Sequence, residues 1–308
     1  MPCGKPSRCF KNGDCSRRSL PLPLWERPKV RGIFTKGASP MTEAKQLHRQ
    51  AMNLHAFIDQ YVPAGRLTGA LPSISTDYVK LQEEVMWGGI WQVPGLDINL
   101  RSIATIAAQC CNGWDFGLHH QIRVGMTLGM TPQKIKGIFL QLIFYAGIPA
   151  TVFALTQAQK VINEQEMWRK EDKLPLKADW LASVEEKLAR GKKLRRHYWG
   201  EQANAELEES LTQQLLPNVA DLVEAYNYGE VWARADLTHK ERMVCIMVAL
   251  MCRGHMDQLR QHIGYALDMG FTCREICEVF SQAGWYRGWP YVEDALREAK
   301  AVFAERGE

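Results

Sequence analysis

Residues 241–254 read Glu-Arg-Met-Val-Cys-Ile-Met-Val-Ala-Leu-Met-Cys-Arg-Gly. Val244, Met247, Val248 and Met251 fall at i, i+3, i+4 and i+7, the spacing of one buried face of an α-helix. Downstream, Leu259, Ile263, Ala266 and Leu267 mark the next helix, which Gly270 ends as a glycine in the left-handed conformation would. Thr272 with Glu275 three residues on has the form of a capping box for the helix that follows. Gly288-x-Pro290 then breaks that helix and starts another. No stretch shows convincing strand alternation, so the fold class is all-α.

The same text occurs earlier in the chain. Residues 88–161 align without gaps on 229–302 at a constant offset of 141. Gly88 falls on Gly229, Trp91 on Trp232, Leu96 on Leu237, Arg101 on Arg242, Gly113 on Gly254 and Gln141 on Gln282. Gly129-x-Thr131 meets Gly270-x-Thr272, and Tyr145-x-Gly147-x-Pro149 meets Tyr286-x-Gly288-x-Pro290. A tandem of two related helical domains is therefore expected, over residues 41–163 and 184–308, with residues 164–183 as a charged linker.

Composition narrows the class. At 46% hydrophobic and 23% charged, the 308-residue chain is an ordinary globular sequence. No apolar run is long enough to span a membrane. The net charge of +4 is concentrated in residues 1–40, where nine basic side chains face Asp14 and Glu26. The remainder holds 29 basic and 32 acidic groups, so neither a nucleic-acid nor a membrane partner is expected of the folded part. Residues 1–40 are Pro-rich and aperiodic and read as a disordered basic extension, with Met41 as a natural start. Cys3, Cys9 and Cys15 recur every six residues, which is no zinc spacing, and no metal site is expected. The other cysteines lie in or beside apolar helical stretches, as free thiols in a reducing, cytoplasmic setting.

Residues 185–302 resemble carboxymuconolactone decarboxylases. The marks are Arg190-Gly191 with Arg195-Arg196 and Gly200, Tyr228-Gly229-Glu230-Val231-Trp232, Leu237 with Arg242, and Gly254-x-x-Asp257-x-Leu259-x-x-His262-Ile263, closing with Tyr286-x-Gly288-x-Pro290. Repeat 1 resembles the same family through Trp87-Gly88-x-Ile90-Trp91, Pro94-Gly95-Leu96-Asp97, Arg101-Ser102 and Tyr145-Ala146-Gly147-x-Pro149. The resemblance implies an alkylhydroperoxidase-D-like helical fold, cofactor-independent decarboxylation of a small carboxylate in aromatic catabolism, and a homo-oligomer, either three tandem chains or a dimer. The peroxidase branch of that superfamily carries a Cys-x-x-Cys pair before its histidine. Here His255 and Gln258 occupy those places, which argues against thiol peroxidase chemistry.

The copies differ at polar positions. Repeat 2 has Glu230 and His262 where repeat 1 has Gly89 and Gln121. Cofactor-free loss of CO₂ needs an anchor for the anion, stabilisation of an enolate and one mobile proton. Arginine, histidine and a tuned glutamate suit those tasks. The expected catalytic set is accordingly His262, Glu230 and Arg242. Trp232, Gln258, His255 and Tyr286 are expected to bind substrate, and His255, Gln258 and His262 share one helix face. Gln258 stands where the decarboxylases commonly have glutamate. Arg101, His120, Gln121 and Trp91 mark a possible remodelled second site, and the adjacent His119-His120 pair lacks metal spacing. Lactone hydrolysis or isomerisation in the same pocket is an alternative. A non-catalytic scaffold or small-ligand-binding protein is another, and it is favoured if His262, Arg242 and Glu230 do not converge.

Overall fold

Helix boundaries repeat at the offset of the sequence. In the computed structural model, which describes residues 75–113, 115–164 and 182–308, α1 (Thr76–Leu81) runs into a π-helical turn, Gln82–Trp87. Then come α2 (Ile98–Asn112), α3 (Asp115–Thr127), α4 (Pro132–Ala146) and α5 (Ile148–Glu164). The second half opens with α6 (Val184–Glu208), α7 (Leu211–Leu215) and α8 (Pro217–Val223), the last continuing into a π-helix, Glu224–Trp232. It ends with α9 (His239–Arg253), α10 (Met256–Asp268), α11 (Cys273–Arg287) and α12 (Trp289–Arg306). Among the described residues every regular element is helical. The expected disordered extension, and all but the ends of the expected linker, lie outside the described residues.

The punctuation does what its residue types demand. Thr131 accepts from Lys134 N, and Thr272 and Glu275 form a full capping box. Gly254 closes α9 at φ 76°, where a side chain would be strained. The cysteines Cys110, Cys111, Cys245, Cys252, Cys273 and Cys277 are unbridged, and burial pushes the Cys111 and Cys277 thiols up to about 12. No helix among the described residues is long and apolar enough to cross a membrane.

The described residues all belong to one compact unit; one large hydrophobic core runs through both repeats, and Met86, Trp87, Trp91 and Val124 form a smaller second one. Its centre is α2 and α9, buried along most of their length and packed on each other. Each also takes a helix of the opposite repeat, α11 against α2 and α4 against α9. This is the reciprocity of an approximate twofold.

Two buried arginines cross that junction. Arg242 donates to Gln141 Oε1 of repeat 1 at 3.0 Å, to the Arg234 carbonyl at 2.7 Å and to Asp236 Oδ1 at 2.9 Å. Arg101 donates to Gln282 Oε1 of repeat 2 at 3.2 Å, to the Val93 carbonyl at 2.6 Å and to Glu278 Oε2 at 3.0 Å. The glutamines and carbonyls correspond at the repeat offset; the carboxylates do not. Asp236 lies in the loop before α9, and its repeat 1 counterpart is Gly95. Glu278 lies on α11, and its counterpart on α4 is Gly137. A Cβ at Gly137 would sit 2.9 Å from Asp236 Cγ, so Arg242 has room for one acid. Each acid is also held by a second arginine, Arg234 on Asp236 and Arg274 on Glu278.

A buried guanidinium stripped of its acid is costly. Asp236→Gly should lower unfolding stability by about 3–5 kcal/mol in denaturant melts. Adding Gly137→Glu, which moves the acid to the place it has in repeat 2, should recover more than half of that loss. A double variant no more stable than the single one would show that the two acid positions are not interchangeable.

Candidate active site

His262 projects from the middle of α10. Its Nδ1 lies 2.8 Å from the Gln258 carbonyl, a pure acceptor, so Nδ1 carries the hydrogen and Nε2 keeps its lone pair. Burial first, and then the charge of Arg195, pull the imidazole down to about 4 against the opposing pull of that carbonyl. The ring is therefore neutral near pH 7.

Arg195 reaches this region because two glycines let helices touch. A Cβ at Gly229 would lie 2.0 Å from the Lys187 carbonyl, and one at Gly191 would lie 2.7 Å from the Glu224 carbonyl. The backbones of α6 and the Glu224–Trp232 π-helix thus run in contact. Glu224, 2% exposed, grips Arg195 through Nε at 3.1 and 3.2 Å and Nη2 at 2.8 Å. The Arg195 guanidinium also stacks over the Tyr228 ring at 4.2 Å. The glutamate grips the Nε and Nη2 edge and not Nη1, which has no hydrogen bond among the described residues. π-Helical turns of this kind recur at functional sites.

Tyr145 comes from the other repeat. It sits at the end of α4, and its ring meets His262 edge-on at 6.3 Å. Its hydroxyl interacts with Tyr228 and with the Asn227 amide. Burial raises both phenols, so both are protonated and able to donate. Tyr265 flanks His262 at 5.6 Å, and Trp199 bridges Tyr265, Tyr228 and Trp232 at 5.5, 5.1 and 4.8 Å. Trp199 Nε1, Trp232 Nε1 and Asn227 Oδ1 are buried with no hydrogen-bond partner among the described residues. Unpaired polar atoms clustered in one place mark a site prepared for a polar guest.

The constellation expected around His262 is only partly the one the fold assembles. Trp232 is in place, stacked on Tyr228 and 1% exposed. Gln258 contributes its carbonyl, and its side chain is exposed. His255 is exposed at the N-cap of α10 and makes no cap bond. Arg242 is 0% exposed and engaged in the junction with Gln141 and Asp236, so it is not available to anchor a substrate. Glu230 turns to Lys187 and Arg190 at 3.7 Å each, on the α6 side of its π-helix. Tyr286 is in the other half. Its hydroxyl accepts from Trp91 Nε1 at 3.1 Å and lies 3.5 Å from Gln121 Nε2. The reason is that α4 packs on α9 and α11 on α2, so that each repeat places its Tyr-x-Gly-x-Pro tyrosine against the opposite half.

In the repeat 1 counterpart, Trp87 stacks on Trp91 at 5.2 Å and meets His120 edge-on. Gln121 takes the place of His262, and Arg101 is held by Glu278 and Gln282. Sequence reasoning missed Arg195, Glu224, Asn227, Tyr228 and Tyr145 as site residues. Arg195, Tyr228 and Tyr145 lie inside the motifs that carried the family resemblance, and that was the available signal. Among the described residues no group of three or more His, Cys, Asp or Glu is placed to hold a metal ion.

Comparison with known proteins agrees with the tandem repeat. The sequence pattern of the carboxymuconolactone decarboxylase family matches twice, at residues 76–160 and 217–301. A 4-carboxymuconolactone decarboxylase of Acinetobacter baylyi is 26% identical over 120 residues, 39% of this chain and 90% of the relative. A nitrosuccinic acid decarboxylase of Metarhizium robertsii is 34% identical over 87 residues, 28% of this chain and 59% of the relative. An uncharacterised 15.0 kDa protein of Paracoccus denitrificans is 33% identical over 99 residues, 31% of this chain and 73% of the relative. The two matches fall on the two structural repeats, and the chain belongs to the carboxymuconolactone decarboxylase family as a tandem, all-helical member.

Proposed function

We propose that this chain is a decarboxylase that needs no cofactor and acts on a small carboxylate whose carbanion can be delocalised, with one working site around His262. The observation that carries the reading is the meeting of a neutral imidazole, an anchored guanidinium and two protonated phenols at one place. The decarboxylase names of two relatives support it. His262, Arg242 and Glu230 do not converge, which by itself would favour a scaffold. The groups that do converge are of the same chemical types, and this outweighs it.

The Nη1 edge of Arg195, held in position by Glu224, binds an anionic group of the substrate. The C–CO₂ bond breaks, CO₂ leaves, and the electron pair moves into a carbonyl or comparable acceptor. Tyr145 and Tyr228 donate hydrogen bonds to the oxygen on which charge develops. That anion raises the basicity of the adjacent imidazole, so His262 takes up a proton through Nε2 and passes it to the carbanion.

CO₂ release from 4-carboxymuconolactone by the purified chain tests this. His262→Ala should lower turnover by about 10²-fold or more. Tyr145→Phe, a change in repeat 1, should lower kcat at a site whose histidine belongs to repeat 2. Full turnover by His262→Ala, or no CO₂ from the native chain, would sink the proposal.

The depressed imidazole also has a stability signature. The folded state holds His262 neutral down to about pH 4, whereas a free histidine titrates near 6.5. Between those values the unfolded chain binds more protons, so stability falls as pH drops from about 6.5 to about 4. His262→Gln, which installs the repeat 1 residue, should flatten that part of the stability–pH curve. An unchanged slope in thermal melts would show that His262 titrates normally.

A further inference from the structure

Leucine and valine face outward along α7 and α8. Val219, Leu222, Val223 and Tyr226 stand at i, i+3, i+4 and i+7, on one face of α8 and the π-helix that continues it, and are 39–47% exposed. Leu211 and Leu215, one turn apart on α7, and Leu216 at the joint are 57–73% exposed. No residue of α7 is buried, and in α8 only Ala220 is. A five-residue helix that buries nothing is not held by packing against its own chain. With ordinary residue areas, the face offers roughly 700 Å² of largely apolar surface, above the largest patch of a typical monomer and close to the ~800 Å² per partner of a standard interface.

The charges around the face select its occupant. No lysine or arginine occurs between Arg196 and Arg234, whereas a helix lying in a lipid surface carries them on its polar side. Between Ser210 and Glu224 the only charged residue is Asp221, so a strongly charged partner finds little to pair with. The two ends differ in sign. Exposed Glu208 and Glu209 stand just before α7. At the Tyr226 end, Lys187 Nζ lies 4.6 Å from the Tyr226 ring centroid, and Lys187 and Arg190 share the single acid Glu230. The face is therefore complementary to itself when reversed. It does not match its counterpart in repeat 1, where α1 exposes Tyr78 and Leu81 with Lys80 between them in an ion pair to Glu84.

We propose that a second copy of this chain docks here, α7 and α8 against α7 and α8 of the partner, antiparallel about a twofold near Val219. The leucines of each copy cover those of the other, and the acidic end of one meets the basic end of the other. Because the same surface is used on both chains, the contact closes at two. A pairing of α8 with α1 of the next chain would leave most of the leucines uncovered. The contact also backs the candidate site, since the π-helix that presents Tyr226 outward carries Glu224, Asn227 and Tyr228 on its buried side.

Sedimentation equilibrium of the full chain tests it. The native protein should run at twice the 35.1 kDa chain mass. Leu215→Glu with Leu222→Glu, at positions exposed in the single chain, should raise the dimer dissociation constant about 100-fold or more with unchanged helicity by circular dichroism. Tyr78→Ser with Leu81→Ser, on the repeat 1 face, should leave the dimer intact. Val219→Cys, close to the twofold, should cross-link to its own copy on oxidation with diamide, giving a band of twice the mass on a non-reducing gel that the native chain lacks. A monomeric native chain overturns the proposal, whether or not it binds vesicles of anionic lipid through this face. So does an assembly of three or more chains, a dimer indifferent to the two glutamates, or a Val219→Cys chain that does not cross-link.

Discussion

Two buried guanidiniums fix everything else in this molecule. Arg101 and Arg242 each reach out of one repeat to a glutamine of the other, and each is neutralised by an acid it cannot lose without leaving a charge in the core. Ordinary apolar packing would hold α2 against α9 in several rotations. The arginine bonds, three per side chain with fixed fork geometry, specify one. That choice puts the C-terminal ends of α4 and α11 on the opposite repeat, which is why the Tyr145 ring lies against His262 and the Tyr286 hydroxyl against Trp91.

The lock is symmetric in its donors and asymmetric in its acids. Repeat 2 supplies both carboxylates, Asp236 from a loop and Glu278 from a helix, and repeat 1 supplies glycine at both matching positions. In a dimer of identical chains, an acid at both positions would crowd each arginine with two. A fused chain escapes that restriction, since each copy can change alone. The orphaned Gln141 Nε2 shows the same drift on the other side. Its counterpart, Gln282 Nε2, donates to Thr105, whereas the residue matching Thr105 in repeat 2 is Ile246.

Most of the fold was legible in the sequence because helices announce themselves locally. Gly254, Thr272 with Glu275 and the Gly-x-Pro breaks each act over one turn, and the structure places the boundaries where they stand. His262 and Trp232, both in the proposed site, stand within the family motifs, and His262 stands out because repeat 1 lacks it. Arg242 misled for an instructive reason. It is present in both copies together with its glutamine, and in both it holds the junction between the repeats. Arg195 and Glu224 were hidden by distance along the chain: only the contact of α6 with the π-helix, permitted at Gly191 and Gly229, makes them a pair. Tyr145 was hidden by the crossing, which no comparison of one repeat with the other reveals.

That crossing answers why a repeat with Gln121 in place of the histidine is retained at all. If each repeat held its own site, repeat 1 would be dispensable once its polar set had gone. Here it supplies a phenol beside His262, the glutamine that receives Arg242, and half of the helix layer on which α9 rests. Removing it would strip Arg242 of a partner and take a donor from the proposed site in the same event. The reverse dependence runs through the Tyr286 hydroxyl, which meets Trp91, Gln121 and Thr105 of repeat 1. The two halves are thus unequal in chemistry and equal in architecture. Selection on the proposed site around His262 would be enough to maintain both.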